Sequence, residues 1–93
     1  MDIQWNMDRD VVFRRFAYDN IRFFIGFPIF VIYKHPADYP DKYVSRVWAL
    51  DKPTNMIALA DSYEEILEKI PQDRTTRFER TPIDDPCIVE SWL

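Results

Sequence analysis

The stretches FPIFVIYK (residues 27–34) and YVSRVWAL (residues 43–50) decide the fold of this 93-residue chain. Both are rich in β-branched and aromatic residues, and the first is apolar enough to predict a strand buried on both faces. The serine and the arginine of the second stretch predict that part of that strand is solvated. A third, short apolar run at residues 56–60 follows a turn at residues 51–55. Connections this short require antiparallel neighbours, so the three strands are predicted to form an antiparallel meander.

The region before the meander is predicted to be a helix from residue 8 to about residue 24. Apolar side chains recur there at three- and four-residue steps, which is the helical period. Asn6 can cap the start, and Gly26 with Pro28 ends the helix. The helix makes up most of an amino-terminal extension, residues 1–26. Its apolar face has two alternative uses: packing on the sheet, or contact with another protein, including a second copy in a homodimer.

The region after the meander is predicted to contain a second helix and a final strand. Ser62 followed three residues later by Glu65 is a capping box, so the helix begins there. The strand spans residues 87–93. The predicted class is α+β, in the order α-β-β-β-α-β, with helices packed on an antiparallel-rich four-stranded sheet. Residues 27–93 form the core of one domain that spans residues 1–93.

The charge distribution opposes one class of partner and favours another. Residues 1–46 carry seven basic and six acidic side chains, whereas residues 47–93 carry five basic and ten acidic ones, for a formal net charge of −4. An acidic half opposes nonspecific binding to nucleic acid, because that affinity comes largely from neutralised phosphates. It is compatible with a basic protein partner. The alternative is that the acidic excess serves only solubility.

A reducing, cytoplasmic setting is predicted from the single Cys87, which excludes an intramolecular disulfide. The amino terminus lacks the basic region and the small-residue cleavage site of a secretory signal. The longest apolar run, residues 23–33, is too short to span a bilayer, which needs about 20 residues. We therefore expect no membrane partner.

The loop HPADYPDKY (residues 35–43) places the only histidine near Asp38 and Asp41, which in principle suits general-base catalysis. No serine or cysteine has an activating context, and catalysis needs a base, an orienting group and a reacting group placed together. Cys87 heads an apolar strand, where burial makes a thiol inert. Metal-ligand spacing is absent, and a chain whose only glycine is Gly26 has no glycine-rich phosphate loop. The sequence predicts no enzyme, no metal site and no cofactor.

Four motifs resemble those of short proteins encoded by bacterial phages and other mobile elements: HPxDYPxKYVxR (residues 35–46), PT (53–54), DSxEE (61–65) and DDPxIVExW (84–92). The resemblance covers residues 30–93 and leaves the amino-terminal helix outside it. It implies a mobile-element setting, in which small acidic proteins often bind and block host defence machinery, including CRISPR effectors. It implies no activity and no catalytic residue.

The predicted function is a non-enzymatic, anti-CRISPR-like inhibitor in the cytoplasm of a bacterial host cell. It would bind a basic surface of a host protein or ribonucleoprotein complex, without sequence-specific contact to nucleic acid. Two prolines stiffen the 35–43 loop, so little entropy is lost when its aromatics dock. Aromatic anchors and steering charges predict this contact surface: Arg15, Tyr18, Arg22, Tyr39, Tyr43, Glu64, Glu68, Asp84 and Asp85. The alternative is a nucleic-acid-associated accessory or regulatory protein that uses residues 74–80, where Arg74, Arg77 and Arg80 flank Phe78.

Overall fold

One mixed sheet organises the chain in the computed structural model, which describes residues 10–82 and 84–93. The strands are β1 (Val11–Val12), β2 (Pro28–Lys34), β3 (Tyr43–Ala49), β4 (Lys52–Ala60), β5 (Arg77–Glu79) and β6 (Ile88–Trp92). The helices are α1 (Tyr18–Phe24) and α2 (Tyr63–Leu67), followed by a 3₁₀ turn at Gln72–Arg74. Within the described residues the sheet has six strands, in the order β1-β4-β3-β2-β6-β5. The predicted α+β class is confirmed.

The predicted meander is present, but the predicted four-stranded sheet is wrong. β2 pairs antiparallel with β3, and β3 pairs antiparallel with β4. β6 lies antiparallel to the other side of β2. Two short edge strands extend this arrangement, since β1 pairs parallel with β4 and β5 pairs antiparallel with β6. Strands of two and three residues show too little periodicity to be read from a single sequence.

The amino-terminal helix is shorter than predicted. α1 begins at Tyr18, and the segment before it contains β1 and an irregular stretch. The two valines of β1 are β-branched and favour an extended backbone. The Phe13 amide then donates a hydrogen bond to the Ile57 carbonyl at 2.7 Å, which continues the pairing with β4. The predicted cap Asn6 and the predicted first turn at Asp8 lie outside the described residues.

One face of the sheet, here called the helix face, carries the main core. Phe30 and Ile32 of β2 point to this face and are fully buried. They belong to one apolar cluster with α1 and α2 residues such as Ile21 and Ile66. The capping signal of α2 is confirmed, because the Ser62 hydroxyl accepts a hydrogen bond from the Glu65 amide at 3.2 Å. Both helices therefore cover the same face.

The opposite face carries a buried ion pair. The side chain of Arg46 in β3 is 4% exposed and that of Asp10 is 3% exposed. The guanidinium donates hydrogen bonds to the two Asp10 carboxylate oxygens at 2.8 and 3.0 Å. A bidentate arrangement of this kind is the strongest that arginine makes with a carboxylate. It joins the residue before β1 to a strand two positions away in the sheet.

Arg46 also stabilises an irregularity in β4. The pairing between β3 and β4 shifts register between Arg46 and Trp48. The bulge leaves the Thr54 carbonyl available, and Arg46 donates a hydrogen bond to it at 2.7 Å. The Thr54 hydroxyl donates to the Val47 carbonyl at 2.7 Å. Pro53, which has no amide hydrogen, lies opposite Trp48 in the part of β4 that β1 does not reach.

The 35–43 loop folds over Arg46. Asp38 accepts a hydrogen bond from the Arg46 guanidinium at 3.3 Å, and the Tyr39 hydroxyl donates one to Asp10 at 3.0 Å. His35 adopts a positive φ of 49° at the start of the loop, and its ring meets the edge of the Tyr43 ring with centroids 5.5 Å apart. The stiff loop thus closes one end of the opposite face.

We expect Asp10→Ala to lower the free energy of unfolding by about 3 kcal/mol, because it leaves a buried guanidinium without its bidentate partner. Urea unfolding followed by tryptophan fluorescence measures the change. Ser45→Ala is the matched control: Ser45 is adjacent in β3, and its buried hydroxyl makes no hydrogen bond within the described residues. The control should be neutral or slightly stabilising. Equal stability of the two variants would contradict the role given to Asp10.

Candidate protein-interaction surface

A cleft around Trp48 lies on the opposite face, beside the 35–43 loop. Ile29, Val31, Trp48 and Ile88 are among the residues that line a cavity of about 180 Å³. Trp48 also lines the neighbouring cavity of about 420 Å³, on the side of Tyr33. The Trp48 indole nitrogen donates a hydrogen bond to the Tyr33 hydroxyl at 3.0 Å, which holds the ring in place. Trp48 borders both cavities, and we call the pair the Trp48 cleft.

Three aspartates lie along the rim of the Trp48 cleft. Asp84 lines the smaller cavity, and Asp38 and Asp85 line the larger one. Asp84 and Asp85 also shape their own loop, since they accept hydrogen bonds from the amides of Thr81 and Cys87, each at 2.8 Å. Their charges are therefore held in fixed positions beside an apolar floor. An apolar cleft with a negative rim suits a partner that combines apolar and basic groups.

Leu50 is a strained and exposed residue at the edge of the same cleft. It occupies the two-residue turn between β3 and β4 with a positive φ of 61°, a region that favours glycine or asparagine. Its side chain is nevertheless 61% exposed and lines the smaller cavity. A leucine here stabilises neither the turn nor the core. Backbone strain of this kind concentrates at functional sites.

The predicted contact residues of the first helix lie on the helix side of the molecule. Arg15 and Tyr18 line a shallow cavity of about 440 Å³, which also includes Arg74. The Arg74 guanidinium lies 4.7 Å from the centre of the Tyr18 ring. Arg22 donates a hydrogen bond to the Gly26 carbonyl at 3.0 Å and so covers the end of α1. Tyr18 and Arg22 thus make local contacts, and Arg15 is exposed.

The other predicted contact residues are dispersed over the surface. Tyr39 donates to Asp10, and Tyr43 packs against His35 and against Tyr63 at 6.4 Å between ring centroids. Glu64 and Glu68 are exposed on α2, which lies on the helix face. Among the predicted residues, only Asp84 and Asp85 belong to the Trp48 cleft. Whether the others contact a partner stays a prediction.

Sequence reasoning missed the apolar floor of the cleft, although a signal was present. Ile29, Val31 and Tyr33 share this face of β2, where Val31 is buried and Ile29 and Tyr33 are half-buried. The prediction of burial on both faces is therefore confirmed at the centre of the strand, but continuous apolar character does not show that the face is less covered at Ile29 and Tyr33. The helical period places Phe24 on the apolar face of the first helix and Phe23 at its margin, but both are exposed, by 73% and 83%, with ring centroids 5.3 Å apart.

A buried carboxylate, that of Glu90, forms an ion pair with one of the arginines of residues 74–80. Glu90 is 1% exposed. Its oxygens accept hydrogen bonds from Arg77 at 2.8 Å, from Trp92 at 2.7 Å and from the Tyr63 hydroxyl at 2.9 and 3.0 Å. The hydrogen bond to Glu90 and the negative charge of its carboxylate raise the pKa of Arg77, because they stabilise the charged guanidinium. Arg77 is therefore a structural residue.

The remaining arginines of residues 74–80 also have partners in the chain. Arg74 forms an ion pair with Asp19 at 3.2 Å, and Arg80 donates to the Asp84 carbonyl at 3.5 Å. Both pairs are exposed, so each contributes little to stability. The ion pair with Asp19 nevertheless reduces the positive charge that Arg74 presents to a nucleic acid.

The titratable residues considered for catalysis lie apart. Within residues 10–82 and 84–93, no carboxylate forms a hydrogen bond or ion pair with the His35 imidazole. Partial burial and the nearby Asp85 carboxylate raise the pKa of Cys87, which lowers its nucleophilicity near neutral pH. No cluster of three metal-ligating side chains occurs in the described part of the chain. None of the helices described there is long and apolar enough to cross a bilayer.

Comparison with known proteins identifies no relative. The chain matches no protein-family model, and no curated protein sequence or solved structure is significantly similar to it.

We expect the protein to lose stability above about pH 10, and Tyr63→Phe to make that loss shallower. Burial and the hydrogen bond to Glu90 raise the pKa of Tyr63 above the ordinary value of 10.0. The folded state therefore retains a proton that the unfolded state releases, so this contribution is complete below pH 10 and is lost as the pH rises through the folded-state pKa. The free energy of unfolding in urea, measured from about pH 8 to pH 11, gives the slope. An identical slope for the variant and the unmodified protein would contradict this assignment.

Proposed function

We propose that the protein is a non-enzymatic interaction module that binds a partner protein through the Trp48 cleft. The observation that carries the proposal is the combination of an apolar floor with a rim of three aspartates. A half-buried tryptophan in a cleft is the kind of anchor that dominates binding energy in protein interfaces. Its hydrogen bond to Tyr33 preorganises the ring, so less entropy is lost when a partner docks.

The conformation of Leu50 supports the same surface. A turn optimised only for folding would place glycine or asparagine at this positive φ. The leucine instead extends the apolar floor toward solvent, at a cost of about 1 kcal/mol in backbone strain. A contact between the Leu50 side chain and the partner would explain why a leucine occupies this position of the turn.

The partner is proposed to have a basic surface. Asp84 and Asp85 are held at the rim by hydrogen bonds from backbone amides, and residues 47–93 carry ten acidic and five basic side chains. Such a field accelerates association with a basic partner and sets its orientation. The phage-like motifs suggest a bacterial defence complex in the host cytoplasm, whose nucleic-acid-binding cleft would supply the basic surface. In that setting the protein would act as an anti-CRISPR-like inhibitor.

The alternative is a nucleic-acid accessory protein that uses Arg74, Arg77 and Arg80. The partners of these arginines within the chain weigh against it. Fluorescence anisotropy with labelled single strands at low salt decides the matter: binding that weakens steeply with added salt would favour the alternative.

Leu50→Gly should separate binding from stability. Glycine relieves the strained φ, so the variant should unfold at equal or higher urea concentration. The loss of the exposed side chain should weaken capture of the partner by about tenfold. Affinity capture from a lysate of the bacterium that carries the gene, quantified by mass spectrometry, compares the variant with the unmodified protein. Unchanged capture of every protein would refute a role for Leu50.

Asp84→Asn with Asp85→Asn should lower the association rate and its dependence on salt. Asparagine keeps the oxygen that accepts each backbone hydrogen bond, so only the charges are removed. Glu64→Gln with Glu68→Gln is the matched comparison, because it removes the same charge from α2. If the Glu64→Gln, Glu68→Gln variant lowers the association rate more than the Asp84→Asn, Asp85→Asn variant, the contact surface lies on the helix face instead of at the Trp48 cleft.

A further inference from the structure

The outer edge of β5 lies at one end of the sheet. β5 pairs with β6 on one side, and among the described residues no strand pairs with its other side. All three residues of β5 are exposed. Phe78 is 52% exposed and lies opposite Ser91, on the same sheet face as the Trp48 cleft. An open strand edge of this kind is a template for pairing with another strand.

The backbone of β5 presents a defined set of groups at that edge. Thr76 and Leu93 exchange two hydrogen bonds at 2.7 and 3.0 Å, which makes them a hydrogen-bonded pair of the β5–β6 ladder. Because such pairs alternate in an antiparallel ladder, Phe78 and Ser91 form the next one. The amides and carbonyls of Arg77 and Glu79 therefore point away from β6, toward the open edge.

We infer that β5 pairs antiparallel with β5 of a second copy of the chain, with Phe78 opposite Phe78 at the two-fold axis. In this register Arg77 of each copy lies opposite Glu79 of the other. These two pairs exchange four backbone hydrogen bonds through the groups that point outward. The two phenylalanines form the central non-hydrogen-bonded pair, where side chains approach most closely.

The charges of β5 select this arrangement over others. The sequence Arg77-Phe78-Glu79 is self-complementary when it is reversed, so antiparallel pairing places opposite charges together. Parallel pairing in register would place arginine opposite arginine and glutamate opposite glutamate. Edge strands that avoid pairing commonly carry charged side chains, especially lysine, but the two charges of β5 are of opposite sign and attract each other across the antiparallel contact. An isologous two-fold contact is also the commonest way in which identical chains associate.

The dimer would present both Trp48 clefts on one side. The two-fold axis runs perpendicular to the sheet, because Phe78 of each copy projects from the same face. The six-stranded sheets of the two copies would form one continuous sheet, which contains twelve strands among the described residues. Two clefts on a common side would engage a repeated or two-fold symmetric partner with avidity.

Sedimentation and hydrogen exchange test the pairing on the full chain. Sedimentation equilibrium from about 10 μM to about 1 mM covers the affinity expected of a small edge contact, and should show a reversible monomer–dimer equilibrium. Over the same range, amide exchange read by NMR should slow at Arg77 and Glu79. The Phe78 amide bonds to β6 in both states and should not respond to concentration. A monomer at every concentration, or a dimer without slowing at Arg77 and Glu79, would overturn the inference.

Charge variants test the register. Glu79→Arg places arginine opposite arginine twice and should weaken dimerisation by about tenfold or more. Asp41→Arg is the matched control, because it makes the same charge reversal in the exposed 35–43 loop and should leave dimerisation unchanged. Circular dichroism verifies that both variants are folded. Dimerisation of Glu79→Arg at full strength would exclude this edge as the interface.

The swapped double variant Arg77→Glu with Glu79→Arg provides a rescue. Its charges are again self-complementary under antiparallel pairing, so the dimer should return. The arginine introduced at position 79 would lie opposite Glu90, so the buried carboxylate keeps a cationic neighbour. A folded double variant that stays as monomeric as Glu79→Arg would contradict the proposed register.

Discussion

The burial of Arg46 within a sheet face is the constraint on which much of the remaining structure depends. A guanidinium with 4% exposure needs acceptors for its donors, and these come from three separate segments. Asp10 arrives from the segment before β1, Asp38 from the β2–β3 loop, and the Thr54 carbonyl from the bulge of β4. The position of the stiff loop, the attachment of the parallel edge strand and the irregular β4 pairing are linked through one side chain.

The two faces of the sheet have different uses. Both helices cover one face, where Phe30 and Ile32 lie in a continuous apolar cluster. The Arg46 network and its loop occupy one end of the other face, and the Trp48 cleft lies beside the loop. An antiparallel-rich sheet tolerates this asymmetry, because one of its faces can be solvated. Ile29, Trp48 and Ile88 are therefore half-buried on this less covered face.

Much of the fold could be predicted from local patterns. The four predicted strands and the capped helix are present because β-branched runs and the Ser62–Glu65 motif act over a few residues. The edge strands were missed because their pairing depends on distant partners, as with Phe13 and Ile57. The interaction surface was predicted mainly from aromatic and charged residues, and of these only Asp84 and Asp85 lie in the cleft. Tyr39 and Tyr43 instead make contacts inside the protein.

The sequence by itself determined the α+β class, the antiparallel meander and the start of α2, because each follows from hydrophobic periodicity or capping within a short window. Tertiary structure alone decided that the solitary histidine has no carboxylate partner among the described residues. It also decided that the arginines at positions 46 and 77 are paired with Asp10 and Glu90, and that Trp48 lines a cleft. The physical reason is that burial and ion pairing depend on strand register, which joins residues far apart in the chain.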